Sequence, residues 1–361
     1  MQKSPTLKIS SQMNKKAFNL EKLLRENIRN LKAYSSARDE YQSVTNGMIF
    51  IDANENPFNT NVNRYPDPQQ TKVKKRLSEL KGVSASQILL GNGSDEVLDL
   101  MFRAFCEPKQ DSVITLPPTY GMYSVLANLN AIKIKEINLN SDFQPKTEAI
   151  LKAQNDCTKL LFVCSPNNPT ANSFDVATIE NLIQNFNGIV VIDEAYIDFS
   201  NEESWVSRLN QFPNLIVTQT LSKAYGLAGI RLGVCYASEE IISVLNKIKP
   251  PYNINQLTQS KALERLNAIE SVKEEVDTIL MERQKLADAL QTISCVKTVF
   301  QSDANFLLVK VDNATKRYNQ LIKKGIVVRN RTNQTLCENC LRFTVGTSTE
   351  NKKLIETLKE L

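Results

Sequence analysis

The segment Thr220-Leu221-Ser222-Lys223-Ala224-Tyr225-Gly226-Leu227-Ala228-Gly229-Ile230-Arg231 follows directly on the apolar run Leu215-Ile216-Val217. It sets one lysine among hydroxyls and glycines at the end of what reads as a buried strand. An ammonium in such a place is poorly solvated, so its pKa should fall. The neutral amine that results is the form that attacks a carbonyl to make a Schiff base. Thr220, Ser222 and Arg231 add two hydroxyls and a guanidinium, a set suited to a phosphate dianion. Taken alone, the segment does not exclude an ordinary surface lysine in a glycine-bearing loop.

Two further segments do. Leu160-Leu161-Phe162-Val163-Cys164-Ser165-Pro166-Asn167-Asn168-Pro169-Thr170 is an apolar run that ends in a polar turn. Ile189-Val190-Val191-Ile192-Asp193-Glu194-Ala195-Tyr196 is another, ending in a carboxylate with a phenol three residues later. Three strands thus deliver polar groups at their carboxyl ends, where open α/β sheets bind ligands. Gln87-Ile88-Leu89-Leu90-Gly91-Asn92-Gly93-Ser94-Asp95-Glu96 reads as strand, glycine turn and helix start. Its free N–H groups favour an anion, though in isolation it is equally an N-capped helix with Ser94 as the cap. It carries neither a dinucleotide fingerprint nor a P-loop.

Strands and helices alternate through the first two thirds of the chain, the signature of a mostly parallel sheet with helices on both faces. The pattern predicts helices over 71–81, 94–105, 121–130 and 176–186, and strands over 87–90, 112–116, 159–163, 188–192 and 214–218. Before them, Leu20, Leu23, Leu24, Ile28 and Leu31 recur at helical spacing. After Pro250-Pro251 a charged helical stretch runs over 259–291. Strands return over 296–300, 304–309, 326–329 and 340–345, with helices near 318–324 and from Ser348. The expected organisation is a disordered extension over 1–16, an N-terminal arm over 17–58, a large domain over 59–255 and a small α+β domain over 256–361.

Composition narrows the chemistry. Histidine is absent from all 361 residues, which excludes a histidine base and any histidine-ligated metal. Seven cysteines scattered over the chain make no disulfide framework, and the lone Cys337-Glu338-Asn339-Cys340 reads as a turn, so no metal is expected. A net charge of +5, with lysines interspersed among glutamates, gives no nucleic-acid footprint. No apolar run approaches a membrane span, and residues 1–16 lack the apolar core of a secretory signal, so the cytoplasm is the expected compartment.

The ordered set Asn168-Pro169-Thr170, Asp193-Glu194-Ala195-Tyr196, Ser222-Lys223-Ala224-Tyr225-Gly226 and Arg231 resembles the fold-type-I aminotransferases that use pyridoxal phosphate. The resemblance implies that Lys223 carries the cofactor and shuttles protons. It places Ser94, Asp95, Thr220, Ser222 and Arg231 around the cofactor phosphate. Asp193 would face the protonated pyridine nitrogen, Tyr196 and Asn168 the ring oxygen, and Tyr120 the ring face.

Further motifs are similar to those of the histidinol-phosphate aminotransferases, from about Asn19 to the C-terminus. They are Asn27-Ile28-Arg29-Asn30-Leu31, Tyr34 with Ser36-Ala37-Arg38, Asp52-Ala53-Asn54-Glu55-Asn56-Pro57 and Arg64-Tyr65-Pro66-Asp67-Pro68. Pro118-Thr119-Tyr120-Gly121-Met122-Tyr123 and Leu341-Arg342-Phe343-Thr344-Val345-Gly346-Thr347 complete the set. That likeness implies small-molecule substrates bound by Tyr34, Asn54, Arg329 and Arg342. Arg342 would hold the carboxylate of glutamate, and Arg329 with Arg342 the phosphate of the amino-alcohol substrate. It also implies a homodimer with shared active sites, in which Tyr65 reaches the neighbour's cofactor phosphate, and an N-terminal helix packed on the small domain. One position departs: Ala171 follows Thr170 where the family usually has glycine. Aromatic aminotransferases and threonine-phosphate decarboxylases share these motifs and stand as alternatives, with a non-catalytic cofactor-binding regulator ranked below them.

Overall fold

The computed structural model describes residues 18–34 and 48–361. A seven-stranded sheet is built from β1 (Ile88–Asn92), β2 (Ser112–Thr115), β3 (Lys133–Glu136), β4 (Thr158–Cys164), β5 (Ile189–Asp193), β6 (Leu215–Thr220) and β7 (Leu232–Ala237). Its order is β1-β7-β6-β5-β4-β2-β3, and β7 alone runs opposite to the other six strands. The central strands read as continuous apolar runs because both faces are covered. Leu161, Val163, Val190, Ile192 and Val217 point into one core, while Leu160, Phe162, Ile189, Val191 and Ile216 point into the other. The helices that supply this cover are α2 (Thr71–Lys81), α3 (Ser94–Phe105), α4 (Met122–Leu129), α5 (Thr147–Ala153), α6 (Val176–Asn185) and α7 (Glu239–Ile248).

A four-stranded antiparallel sheet follows, ordered β10-β11-β9-β8 from β8 (Val296–Val299), β9 (Phe306–Val311), β10 (Arg329–Asn330) and β11 (Cys340–Thr344). Two long helices, α8 (Gln256–Asn267) and α9 (Ile269–Gln291), lead into it, and α10 (Ala314–Lys323) and α11 (Ser348–Lys359) complete the unit. One face, with Leu307, Val309, Leu341 and Phe343, packs on Leu286, Leu290, Leu354 and Leu358. The other face sends Phe306, Leu308 and Cys340 into the core of the large sheet. Arg342 pairs with Leu308, so strand alternation places it on that inner face.

Several expectations are corrected. The helical spacing near the N-terminus marks Leu20, Leu23, Leu24 and Ile28 as buried, but Leu31 is exposed and the segment is not one helix. Arg25 is extended (φ −60°, ψ 144°) and separates a 3-10 turn at Leu20–Lys22 from α1 (Glu26–Arg29). Leu20, Leu23, Leu24 and Ile28 pack with Leu98, Met101, Phe102 and Phe105 of the large unit, not on the small one, and Arg25 Nε meets Glu107 Oε2 at 3.2 Å. The cap of α3 is Gly93 (φ 82°) rather than Ser94, which is the first helical residue. The strand expected over 326–329 shrinks to Arg329–Asn330, because Gly325 turns with φ 79° and Val327 stands 82% exposed. The expected extension over 1–16 and the Ser36-Ala37-Arg38 motif lie outside the described residues.

Ala171 has φ +70° and a fully buried methyl. A left-handed conformation costs a residue with a Cβ roughly 1–2 kcal/mol. Burying the methyl returns about 0.8 kcal/mol, and glycine adds an unfolded-state penalty of about 0.4–1 kcal/mol. The opposing effects are of one size, so Ala171→Gly should change the unfolding free energy by less than about 1 kcal/mol in a urea titration.

Candidate active site

Strands β1, β2, β4, β5 and β6 run in parallel, so their carboxyl ends share one edge of the sheet. Because β7 runs the other way, its beginning comes to the same edge and brings Arg231 with it. One pocket at this edge is lined by Ser94, Asp95, Tyr120, Asn168, Asp193, Tyr196, Thr220, Ser222, Lys223 and Arg231, together with Cys164 and Ala195. Of the residues expected around a cofactor, Tyr65 alone is not among them.

Lys223 sits in the middle. Burial, and then the nearby Arg342 guanidinium, lower its pKa from the usual lysine value. Its Nζ lies 5.6 Å from the centroid of the Tyr196 ring. The amine is therefore biased toward its neutral, nucleophilic form.

Asp193 ends β5 with its carboxylate buried. Oδ2 accepts a hydrogen bond of 2.7 Å from the Tyr123 hydroxyl, and Oδ1 accepts one of 3.2 Å from the Ala195 N–H. Burial raises its pKa, against the pull of the Tyr123 hydroxyl. Among the described residues no cation lies within ion-pair distance of it. Tyr123 is quoted in the motif around Tyr120, yet nothing in the sequence assigns it to Asp193, which lies on another strand end. It becomes legible only when α4, packed on α3, β2 and β3, brings Tyr123 to the end of β5.

At the opposite end the chain builds an anion cup. Ser94 opens α3, so its backbone N–H is one of the helix's unpaired donors. Thr220 Oγ1 accepts from the Ser222 N–H at 3.1 Å and thereby fixes the turn that carries Ser222 and Lys223. Arg231, itself in a left-handed conformation, reaches under the start of α3. A Cβ on Gly93 would stand 2.6 Å from Arg231 Nη2, so that approach needs glycine. Asp95 Oδ2 lies 3.7 Å from Arg231 Nη2, and Asp95 Oδ1 accepts from the Tyr120 hydroxyl at 3.0 Å. Burial, and then Asp95, push the Tyr120 phenol up, so it stays a neutral donor with its ring against the pocket.

The small sheet closes a third side. Arg342 Nη1 donates to Asn168 Oδ1 at 2.6 Å, and its guanidinium lies 5.0 Å from the Phe306 ring centroid. Burial pushes its pKa down to about 10. Arg329 lies opposite Arg342 in the sheet but is exposed. Tyr34, 74% exposed, and Asn54, with φ 55°, do not line the pocket. Tyr65 is 51% exposed and stacks on Tyr252 at 4.5 Å.

A model of the aminotransferase class I and II family matches residues 51–358. The chain belongs to the class I and II aminotransferases. Within this family it is 61% identical over 345 residues to the histidinol-phosphate aminotransferase of Flavobacterium johnsoniae, covering 95% of this chain and 99% of that one. Among solved structures, the histidinol-phosphate aminotransferase of Clostridium acetobutylicum superposes with a TM-score of 0.76 at 24% identity, over 83% of this chain and 91% of that one. The enzyme of Sinorhizobium meliloti in complex with pyridoxal-5'-phosphate gives 0.75 at 21% identity, over 83% of each chain. The seven-stranded sheet with a smaller antiparallel sheet domain is the fold of these aminotransferases.

Proposed function

We propose that this chain is a pyridoxal-phosphate-dependent aminotransferase that moves the amino group of histidinol phosphate to 2-oxoglutarate, giving imidazole-acetol phosphate and glutamate, in histidine biosynthesis. The observation that carries the cofactor reading is Asp193, a buried carboxylate with no cationic partner among the described residues, on the pocket wall beside Lys223. A buried carboxylate of this kind suits a protonated ring nitrogen. The donors Ser94, Ser222 and Arg231 at the other end suit a phosphate. The near-complete match to relatives of one name supports the substrate pair.

Bound there, pyridoxal phosphate supplies an electron sink that makes the substrate's Cα–H acidic. Asp193, held by Tyr123, keeps a proton on the ring nitrogen. Tyr196 and the amide of Asn168 donate toward the ring oxygen, while Tyr120 covers the ring face. Lys223 Nζ, whose pKa is lowered by burial and by the charge of Arg342, would take the proton from the substrate's Cα and return it. Ser94, Thr220, Ser222 and Arg231 hold the phosphate, with Asp95 orienting Arg231 and Tyr120. Arg342 holds the carboxylate of glutamate, and Arg329 joins it for the phosphate ester. Tyr34 and Asn54 belong to the substrate side of the assembled enzyme.

A substrate panel tests the reaction. Absorbance of the loaded enzyme should shift with histidinol phosphate and with glutamate, and be restored by 2-oxoglutarate. Faster turnover of phenylalanine, or carbon dioxide release from threonine phosphate, would favour the aromatic or decarboxylase alternatives.

The active unit is a cytoplasmic homodimer in which Tyr65 serves the partner's site. Its exposure, on a proline-bearing loop away from the pocket of its own chain, supports this. No helix among the described residues is long and apolar enough to cross a membrane. Mixing Tyr65→Phe chains with Lys223→Ala chains should restore wild-type cofactor affinity at the one Lys223-bearing site of each mixed dimer. Unchanged weak affinity in those dimers would count against the shared site.

A further inference from the structure

One cation of the small sheet has no task in the reaction above. The Arg331 N–H donates to Cys340 O at 2.9 Å, which continues the antiparallel register that sets Arg329 opposite Arg342. Opposed residues, and residues two apart on a strand, point to the same face. Arg329, Arg331 and Arg342 therefore share the inner face, and the bond from Arg342 to Asn168 shows that this face meets the pocket wall.

Arg331 is partly buried, and its Nε is shielded from water without a hydrogen-bond partner. The same is true of Arg342 Nε, Thr332 Oγ1 and Gln334 Oε1, so four such orphaned atoms fall within residues 331–342. Unmade hydrogen bonds of buried polar groups are costly, and a cluster of them marks a place that something else completes. Burial, and next the charge of Arg329, lower the Arg331 pKa, and Arg331 in turn lowers that of Arg342. Among the described residues no carboxylate lies within ion-pair distance of any of the three. Like charges gathered without a counter-ion are a built receptor for an anion.

We propose that Arg331 is a specificity-determining residue of the proposed reaction, supplying the third guanidinium of an anion subsite with Arg329 and Arg342 that selects a phosphate monoester over a carboxylate. The inference rests on the substrate reading given above. A side-chain carboxylate offers two oxygens and a single charge, which one guanidinium fork satisfies. A phosphate monoester carries nearly two charges and three acceptor oxygens at neutral pH. Arg342 already spends one arm on Asn168, so the dianion needs donors that glutamate does not. Arg331, on the same face and close enough to lower the pKa of Arg342, is a further source of them beside Arg329.

The test compares wild type, Arg331→Gln and Arg331→Lys as cofactor-loaded enzymes. The half-reaction is followed by absorbance with histidinol phosphate, unphosphorylated histidinol and glutamate, and inorganic phosphate serves as a competitive inhibitor. Arg331→Gln should lose about 10–30-fold in kcat/KM for histidinol phosphate, and less than about 3-fold for the other two. Inhibition by inorganic phosphate should weaken in parallel, and Arg331→Lys should recover part of both. Equal losses for all three substrates, with or without a lowered Tm, would assign Arg331 a structural role and overturn the proposal. An undiminished preference for the phosphate ester in Arg331→Gln would overturn it as well, while leaving the reaction standing. A wild type that treats histidinol and its phosphate alike would overturn the reaction itself, and this proposal with it.

Discussion

Lys223→Ala should lower kcat for amino transfer by more than about 10⁴-fold, since it removes both the nucleophile and the acid–base group. The protein should still fold and still bind the cofactor phosphate, because Ser94, Ser222 and Arg231, the residues proposed to hold that end, do not depend on the lysine. Among the described residues Lys223 is the only amine lining the pocket, and burial, then the charge of Arg342, lower its pKa. No neighbouring side chain replaces it: Tyr120 and Tyr196 are both pushed above the ordinary phenol range by burial and are poor bases near neutral pH. Single-turnover absorbance with glutamate measures the loss, and equilibrium dialysis measures the retained cofactor. A variant retaining a tenth of wild-type rate would show that another group moves the proton.

Asp193→Asn is the second large effect. The amide keeps the shape of the carboxylate and its bond from Ala195, but it cannot hold a positive charge in a dry site. Losing one preorganised charge-assisted partner of this kind costs roughly 3–4 kcal/mol in the transition state, or about 10²–10³-fold in kcat. Folding should survive, since burial already raises the Asp193 pKa and the neutral amide is spared that desolvation cost. Deuterium exchange at the substrate Cα reads the step directly. Exchange at the wild-type rate would make the carboxylate structural.

The pocket was legible in the sequence because it is assembled from strand ends. Each of β4, β5 and β6 carries a buried apolar run, and the polar residues that follow that run lead to the sheet edge. That is why Asp193, Ser222 and Lys223 are placed at the sheet edge by local pattern, while their roles and that of Asn168 come from the resemblance. Less was legible where packing between distant elements decides. The run Leu232–Ala237 follows β6 with only a single 3-10 turn, Ala228–Ile230, between, which breaks the alternation that signals parallel strands, and β7 runs antiparallel to β6. The bond from Tyr123 to Asp193 joins residues 70 apart in the chain, and no periodicity encodes it. Arg331 is not legible in the sequence, because a turn arginine looks like any solvated charge until its register beside Arg342 is known. The N-terminal arm shows the converse: its spacing marked Leu20, Leu24 and Ile28 as buried but said nothing about the surface that buries them.

The central claim is that this sheet-edge pocket is the catalytic centre and Lys223 its covalent group. Borohydride reduction of the cofactor-loaded enzyme, followed by peptide mapping, tests it most directly. The account predicts a single pyridoxyl-modified peptide, attached through the Nζ of Lys223, with none recovered from Lys223→Ala. Modification of any other lysine in the wild type, at one equivalent per chain, would contradict it.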